Sequence, residues 1–158
     1  GTLQALRRQA PAAVPLATPL MLETAIAAGQ APEMQALLQA HYAQAPSLDV
    51  LEGIVALQAL NPTDAATARQ WYVRHLDKEQ SLVAAAKWLA EEKLEHEEFH
   101  PQIQRALDHA VKPLTRYRCA ACGFEARQHF WQCPGCQTWD SYPARRVEEL
   151  WERRGFTI

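Results

Sequence analysis

The four cysteines of the chain are the residues whose type and spacing indicate chemistry most clearly. They form two C-x-x-C pairs, and ten residues separate the pairs: Cys119, Cys122, Cys133 and Cys136. Two residues between thiolates allow a tight turn that directs both sulfurs inward and aims its backbone N–H groups at them. Two such turns supply the ligands of a tetrahedral four-thiolate site. The spacing therefore predicts one metal ion held by all four cysteines.

The residues around the pairs agree with this interpretation. Gly123 follows the first pair, where a positive φ is often required, and Pro134-Gly135 inside the second pair is typical of a turn. Four thiolates leave no coordination position open for hydrolytic chemistry, so we expect a structural metal. Zinc is the expected ion, and iron fits the same all-sulfur set. Disulfides, free thiols or a redox-active pair are the alternatives, which two facing pairs in a helix-rich chain disfavour.

The module around the cysteines is small. A module of about 40 residues buries too little apolar surface to fold by burial alone. Metal binding must therefore supply much of its folding free energy, typically ~10–16 kcal/mol for structural zinc in peptides. Between the pairs, Phe124, Ala126, Phe130 and Trp131 are strand candidates for a short hairpin. Trp131 and Trp139 flank the second pair, and we expect them to cover the metal site.

A second motif, at residues 96–100, satisfies the pattern H-E-x-x-H of zinc peptidases. That pattern places two histidines one helical turn apart and uses the glutamate as a general base. Here Pro101 biases the residue before it away from helical geometry, and the acidic run 91–98 is typical of a solvated helix face. We therefore expect no catalytic residues in this motif.

The composition of the whole chain excludes several classes of protein. The chain has 158 residues and a net charge of −2, and 48% of its residues are hydrophobic, which excludes a disordered chain. The uncharged stretch 10–22 is too short to span a membrane and contains three prolines. Because the sequence begins with Gly1-Thr2 and enters helix-like sequence at once, we expect it to be a piece of a longer protein.

Residues 1–112 read as a series of short amphipathic helices, with apolar residues at helical spacing and proline, glycine or capping residues between them. The expected helices lie near residues 18–29, 33–43, 50–60, 64–76, 82–94 and 101–111. Short connections between helices of this length are typical of antiparallel helical hairpins. We expect a mainly α fold, a tetratricopeptide-like α-solenoid, with an ordinary helical bundle as the alternative.

The composition changes near Lys112, so we expect a second domain. Residues 1–112 form the helical repeats in this interpretation, and residues 113–158 form the four-cysteine domain. The last 47 residues have a net charge of +3 and the preceding part −5. Arginines interleaved with aromatic residues would also suit a nucleic-acid-binding zinc ribbon. The overall pI of about 6.3 disfavours that function, so we do not expect a nucleic-acid partner.

The tail resembles one known family. Residues 116–124 read R-Y-R-C-x-x-C-G-F and residues 131–139 read W-x-C-P-x-C-x-x-W. In these residues, and in the helices before them, the chain resembles the lipopolysaccharide assembly protein B family. The chain departs from that family after the second pair, where residues 148–151 suggest a short extra helix.

The resemblance implies a fold and a function. It implies a tetratricopeptide array, a rubredoxin-like metal domain with the four cysteines as ligands, and no catalytic residues. It implies a non-enzymatic adaptor on the cytoplasmic face of the bacterial inner membrane, reached only through an N-terminal anchor outside these residues, which themselves are expected to be soluble. The implied partners are a membrane-bound AAA protease and the lipid A deacetylase that it degrades. A nucleic-acid-binding ribbon and an iron-containing electron carrier are the rival functions.

Overall fold

A computed structural model describes residues 2–92 and 98–151, and most of them are helical. The described residues form eight α-helices and one two-stranded sheet, which confirms a mainly α fold with a small β module. The helices are α1 (Thr2–Gln9), α2 (Val14–Ala27), α3 (Ala31–Gln44), α4 (Leu48–Ala59), α5 (Ala65–Leu76), α6 (Leu82–Glu91), α7 (His100–Val111) and α8 (Val147–Trp151). The strands are β1 (Tyr117–Arg118) and β2 (Glu125–Ala126), and short 3₁₀ helices cover Pro11–Ala13 and Pro113–Thr115.

The chain divides into two compact units, Gly1–Trp71 and Tyr72–Ile158. The second unit contains both the α6–α7 hairpin and the cysteines, so contacts within it cross residue 112. The domain boundary expected after residue 112 stays a prediction. Within the described ranges, no helix is both long enough and apolar enough to cross a membrane.

Helix α4 is the centre of the first unit. Its buried residues point in nearly every direction around the helix axis, which is the pattern of a helix enclosed by its neighbours: Leu48, Val50, Leu51, Gly53, Ile54, Val55 and Leu57. It packs against both α2 and α3. Near this core, the rings of Tyr42 and Trp71 meet edge to face, with centroids 5.7 Å apart. The first unit is therefore built around one apolar helix.

The start of α2 differs from its expected position. The sequence predicts a helix that begins at Thr18 or Pro19, whereas α2 begins at Val14 and includes Pro19 in its interior. Proline removes one helical N–H donor, but Thr18 is buried and its hydroxyl donates to the Val14 carbonyl at 2.9 Å. Tertiary packing therefore extends this helix past a residue that would end it in isolation.

Capping residues set the start of two other helices. Ser47 caps α4 by accepting from the Val50 N–H at 3.4 Å, and Ser81 caps α6 by accepting from the Ala84 N–H at 3.0 Å. Ser47, which lies just before the helix expected near residues 50–60, is therefore the cap of α4. The expected end of α6 at residue 94 lies outside the described residues.

Helix α7 packs on α6 with polar contacts at its surface. The imidazole Nε2 of His100 lies 3.2 Å from the Leu89 carbonyl oxygen. The amide of Gln104 donates to the Ala86 carbonyl at 3.4 Å. No residue of α7 is fully buried, and Ile103 is about half exposed. Side-chain hydrogen bonds thus contribute to the α6–α7 hairpin alongside the buried apolar residues of α6.

The close approach of α4 and α2 gives a test of packing in the first unit. A Cβ added at Gly53 would lie 2.5 Å from Thr18 Cγ2 and 3.2 Å from Leu38 Cδ1. We expect Gly53→Ala to lower the free energy of unfolding by ~1–3 kcal/mol, because overpacking outweighs the ~1 kcal/mol gain in helix propensity. Denaturant unfolding measures this change. Thr18→Ser removes the clashing methyl, so the double variant should recover stability; a stabilised single variant would contradict the packing described.

Candidate metal centre

The structure brings together the four cysteines that the sequence singles out. Their Sγ atoms all lie within 4.8 Å of one another. Two of the sulfur pairs are closer: Cys119 and Cys136 are 3.8 Å apart, and Cys122 and Cys133 are 3.7 Å apart. Within the described ranges, this is the group of His, Cys, Asp and Glu side chains placed to share an ion.

These distances fit a tetrahedral metal site. A zinc–sulfur bond of about 2.3 Å places the corners of a tetrahedron about 3.8 Å apart, close to the two short distances. A disulfide requires a sulfur–sulfur distance of about 2.05 Å, and all four cysteines are free. The donor set therefore suits a tetrahedral, thiophilic ion. An ion bound by all four sulfurs would have no coordination position left for a substrate or a reactive water.

The two cysteine pairs are held by the same backbone pattern. The Gly123 N–H donates to the Cys119 carbonyl at 2.9 Å, and the Gln137 N–H donates to the Cys133 carbonyl at 2.8 Å. In each pair, two further N–H groups point at the sulfur of the first cysteine. They belong to the residues two and three positions after Cys119 and to those two and three positions after Cys133. The two turns are thus near-copies, as the spacing predicts.

The repeat explains two unusual backbone angles. Gly123 and Gln137 occupy the same place, four residues after the first cysteine of each pair, and have φ values of +80° and +60°. Glycine adopts such angles readily, whereas glutamine is strained there. The sequence predicts a positive φ at Gly123 and a turn at Pro134-Gly135, but the residue type gives no sign of the positive φ at Gln137. Aligning the two pairs by their first cysteine would have found it.

The sheet lies in a different place from the one predicted. The sequence suggested a hairpin between the two pairs, but β1 precedes Cys119 and pairs antiparallel with β2 across the first turn. Tyr117 faces Ala126 and Arg118 faces Glu125, and the Arg118 Nε donates to the Glu125 carboxylate at 2.9 Å. The first cysteine turn therefore connects the two strands, because it reverses the direction of the chain between β1 and β2. Phe130 and Trp131 lie outside both strands.

The sulfurs have unequal electrostatic surroundings. The Ser141 hydroxyl, 3.1 Å from Cys119 Sγ, lowers the pKa of Cys119 to about 6, and the Thr138 hydroxyl lowers the pKa of Cys136. The Phe124 N–H lowers the pKa of Cys122, but desolvation and the neighbouring sulfurs together outweigh it. The net effect raises the pKa of Cys122 to about 12. Thiolates this close repel one another, so only a cation between them lets all four ionise together.

Tyr142 is the aromatic residue that lies against the site. Its hydroxyl donates to the Phe124 carbonyl at 3.2 Å and lies 3.9 Å from Cys133 Sγ. Burial raises the pKa of Tyr142 to about 12, so the phenol stays neutral. Trp131 and Trp139, which were expected to cover the metal, are instead 61% and 65% exposed. The sequence alone predicts no role for Tyr142 at the site.

The H-E-x-x-H motif is described only in part. His96 and Glu97 lie outside the described residues. Helix α7 begins at His100, so Pro101 does not keep this histidine out of the helix as expected. Its ring contacts the Leu89 carbonyl within the α6–α7 hairpin.

Comparison with known proteins supports the interpretation of the tail. Residues 117–142 match the family model described as "Rubredoxin metal binding domain". The chain is 42% identical over 41 residues to lipopolysaccharide assembly protein B of Escherichia coli (strain K12). It is 31% identical over 39 residues to the protein of that name from Haemophilus influenzae. Each match covers 25% of this chain and 10% of the relative's length.

These matches confirm the resemblance to this family for the C-terminal region. Together with the sulfur geometry, they establish a metal-binding site of the rubredoxin-like type. That all four cysteines ligate the same ion stays a prediction, and so does the identity of the ion.

Replacing one cysteine tests the ligand assignment. We expect Cys133→Ser to lose the tightly bound metal ion. The variant should also destabilise the module by several kcal/mol, because metal binding supplies much of the module's folding free energy. Metal content by elemental analysis and near-ultraviolet circular dichroism measure the two effects. The control is Thr138→Val, which alters a hydroxyl 3.3 Å from Cys136 Sγ but removes no ligand. Full metal retention by Cys133→Ser would contradict a four-cysteine site.

The two positive φ angles predict opposite effects of substitution at equivalent positions. Gln137→Gly should raise the stability of the metal-bound protein by up to about 1 kcal/mol, because relief of strain exceeds the entropy cost of glycine. Gly123→Ala should lower stability by about 1 kcal/mol through strain alone, since no atom lies within 4 Å of the added Cβ. Chelator competition and thermal unfolding measure both. Equal effects of one sign would rule out the backbone repeat as their cause.

Proposed function

We propose that this chain is part of a non-enzymatic adaptor in lipopolysaccharide assembly. The observation that carries the proposal is the metal module: residues 117–142 match a rubredoxin metal-binding domain, and 41 residues of the chain are 42% identical to lipopolysaccharide assembly protein B of Escherichia coli. Because the matched part covers a tenth of that relative, the activity of the whole protein is carried over as a proposal.

The chemistry of the site favours a scaffold over an enzyme. All four donors are sulfur and the first cysteine of each pair is buried, so an ion there has no position for a substrate. In this proposal Cys119, Cys122, Cys133 and Cys136 hold zinc, which fixes the module and shapes a surface for protein contacts. The helices before it act as tetratricopeptide-like hairpins that supply further contact surface.

The partners follow from the resemblance. We propose contacts with a membrane-bound AAA protease and with the lipid A deacetylase that it degrades, at the cytoplasmic face of the inner membrane. Exposed aromatic side chains on the metal module are suited to such contacts, because aromatic residues are enriched at protein interfaces. Trp131 and Trp139 are the most exposed of them among the described residues.

A co-purification experiment tests the adaptor function. The intact protein containing this chain is tagged at its own locus in the native host, and its complexes are isolated from membranes. We expect the protease or the deacetylase to co-purify with wild type and with Thr138→Val. Recovery should fall at least about tenfold with Cys133→Ser, because the contact surface depends on the metal. Recovery of neither protein with wild type would contradict the proposal.

Two further measurements separate the rival functions. Elemental analysis of the protein from the native host distinguishes zinc from iron, and an iron-loaded, reversibly reducible site would favour an electron carrier. Nucleic-acid binding that weakens steeply with salt would favour a zinc ribbon of the nucleic-acid-binding kind. Absence of binding at low salt would remove that rival.

A further inference from the structure

Glu148, in the short helix α8, reaches a distant part of the second unit. Its carboxylate accepts from the backbone N–H groups of Leu82 and Val83, at 2.6 and 3.1 Å, and from the Ser81 hydroxyl at 2.7 Å. These residues form the start of α6, more than 60 positions earlier in the chain. Glu148 therefore caps a helix to which it does not belong.

The contact completes the N-terminus of α6. The first four N–H groups of an α-helix, counted from the N-cap residue, lack partners within the helix. Here Glu148 satisfies those of Leu82 and Val83, and Ser81 Oγ satisfies that of Ala84 at 3.0 Å. Glu148 is only 8% exposed, and its carboxylate lies at the positive end of the helix dipole. Withdrawing it would leave two N–H groups at the start of α6 without their acceptor.

Helix α8 is held in place by residues next to the first cysteine. The Val147 N–H donates to the Arg116 carbonyl at 2.7 Å, three residues before Cys119. The guanidinium of Arg146 lies 4.3 Å from the centroid of the Tyr117 ring and donates to the Thr115 carbonyl at 2.8 Å. The position of α8 thus depends on the backbone that leads into the metal centre.

The chain that leads from the second cysteine pair to α8 is also tied to the metal centre. The Ala120 N–H, between the first two cysteines, donates to the Ser141 carbonyl at 2.7 Å. The Tyr142 hydroxyl donates to Phe124, and the ring nitrogen of His129 lies 2.9 Å from the Tyr142 carbonyl oxygen. Both supports of α8 are therefore made of backbone that the cysteine turns hold.

We propose that Glu148 is a metal-dependent latch, which caps α6 while the four cysteines hold an ion and is released from α6 when the ion is lost. The physical basis is that the module is too small to keep its turns ordered by burial alone. When the turns loosen, Arg116 and Tyr142 no longer fix the position of α8. The Glu148 carboxylate is then more favourably solvated by water than bound to the N–H groups of α6. The latch does not depend on the partners proposed above. A result that contradicts the latch leaves the proposed adaptor function unaffected, and the reverse also holds.

Hydrogen exchange of the full chain, loaded with zinc and then treated with a chelator, tests the latch. We expect the Leu82 and Val83 amides to exchange about tenfold faster or more after zinc removal. Adding zinc back should restore their protection. The reference is the Val50 amide, which is capped by Ser47 in the first unit and should change by less than about twofold.

Substitutions at Glu148 and Glu149 separate the latch from general loosening of α8. Glu148→Ala should speed exchange at Leu82 and Val83 in the zinc-loaded protein, and zinc removal should then add little. Glu148→Gln keeps one acceptor and should give an intermediate effect. Glu149→Gln is the matched control, since this buried glutamate accepts from the Arg146 N–H at 2.8 Å within its own helix region.

The outcomes decide the matter in both directions. Faster exchange at Leu82 and Val83 on zinc removal, reproduced by Glu148→Ala and absent in Glu149→Gln, supports the latch. Unchanged exchange at these amides while the cysteine turns lose protection would overturn it. Equal acceleration at Val50, which signals global unfolding, would also overturn it, as would an equal effect of Glu149→Gln. If Glu148→Ala does not fold, the zinc-removal arm and Glu148→Gln decide alone.

Discussion

Four sulfurs within 4.8 Å of one another are the constraint on which the C-terminal module depends. Four thiolates at this distance repel one another, and the neighbouring sulfurs help to raise the pKa of Cys122. A single cation resolves this repulsion. The surrounding structure, two near-identical turns and a two-residue hairpin, has little apolar burial with which to oppose the repulsion. Hydrogen bonds and the expected cation therefore carry much of the order in this module, whereas the first unit is ordered by apolar packing around α4.

The predictable parts of the structure are those that depend on neighbouring residues. Helix α4 follows from a capping serine and an apolar sequence, and the cysteine turns follow from a spacing of two. The family resemblance depends on the stretch that contains the cysteine turns, residues 117–142. Residues 93–97, which include the first two of the five residues of the H-E-x-x-H motif, are outside what the structure describes.

The parts that the sequence did not predict depend on partners far along the chain or on an irregular backbone. The residues near Glu148 do not indicate that it caps a helix that starts at Leu82. Two adjacent glutamates are more typical of a solvent-exposed surface. Gln137 escaped notice because glutamine gives no sign of a positive φ. The start of α2 was placed too late because Pro19 is a strong local stop that tertiary packing overrides. Tyr142 was missed because an aromatic side chain shows its burial only in the fold.

The cap on α6 has a consequence for the order in which the protein is made. A ribosome synthesises Ser81 and Leu82 well before Glu148, so the nascent chain carries the start of α6 without its acceptor until the residues after the second cysteine pair have emerged. Contacts of such long sequence separation form late and slowly. A segment that is translated later thus completes a helix that is translated earlier in the same unit.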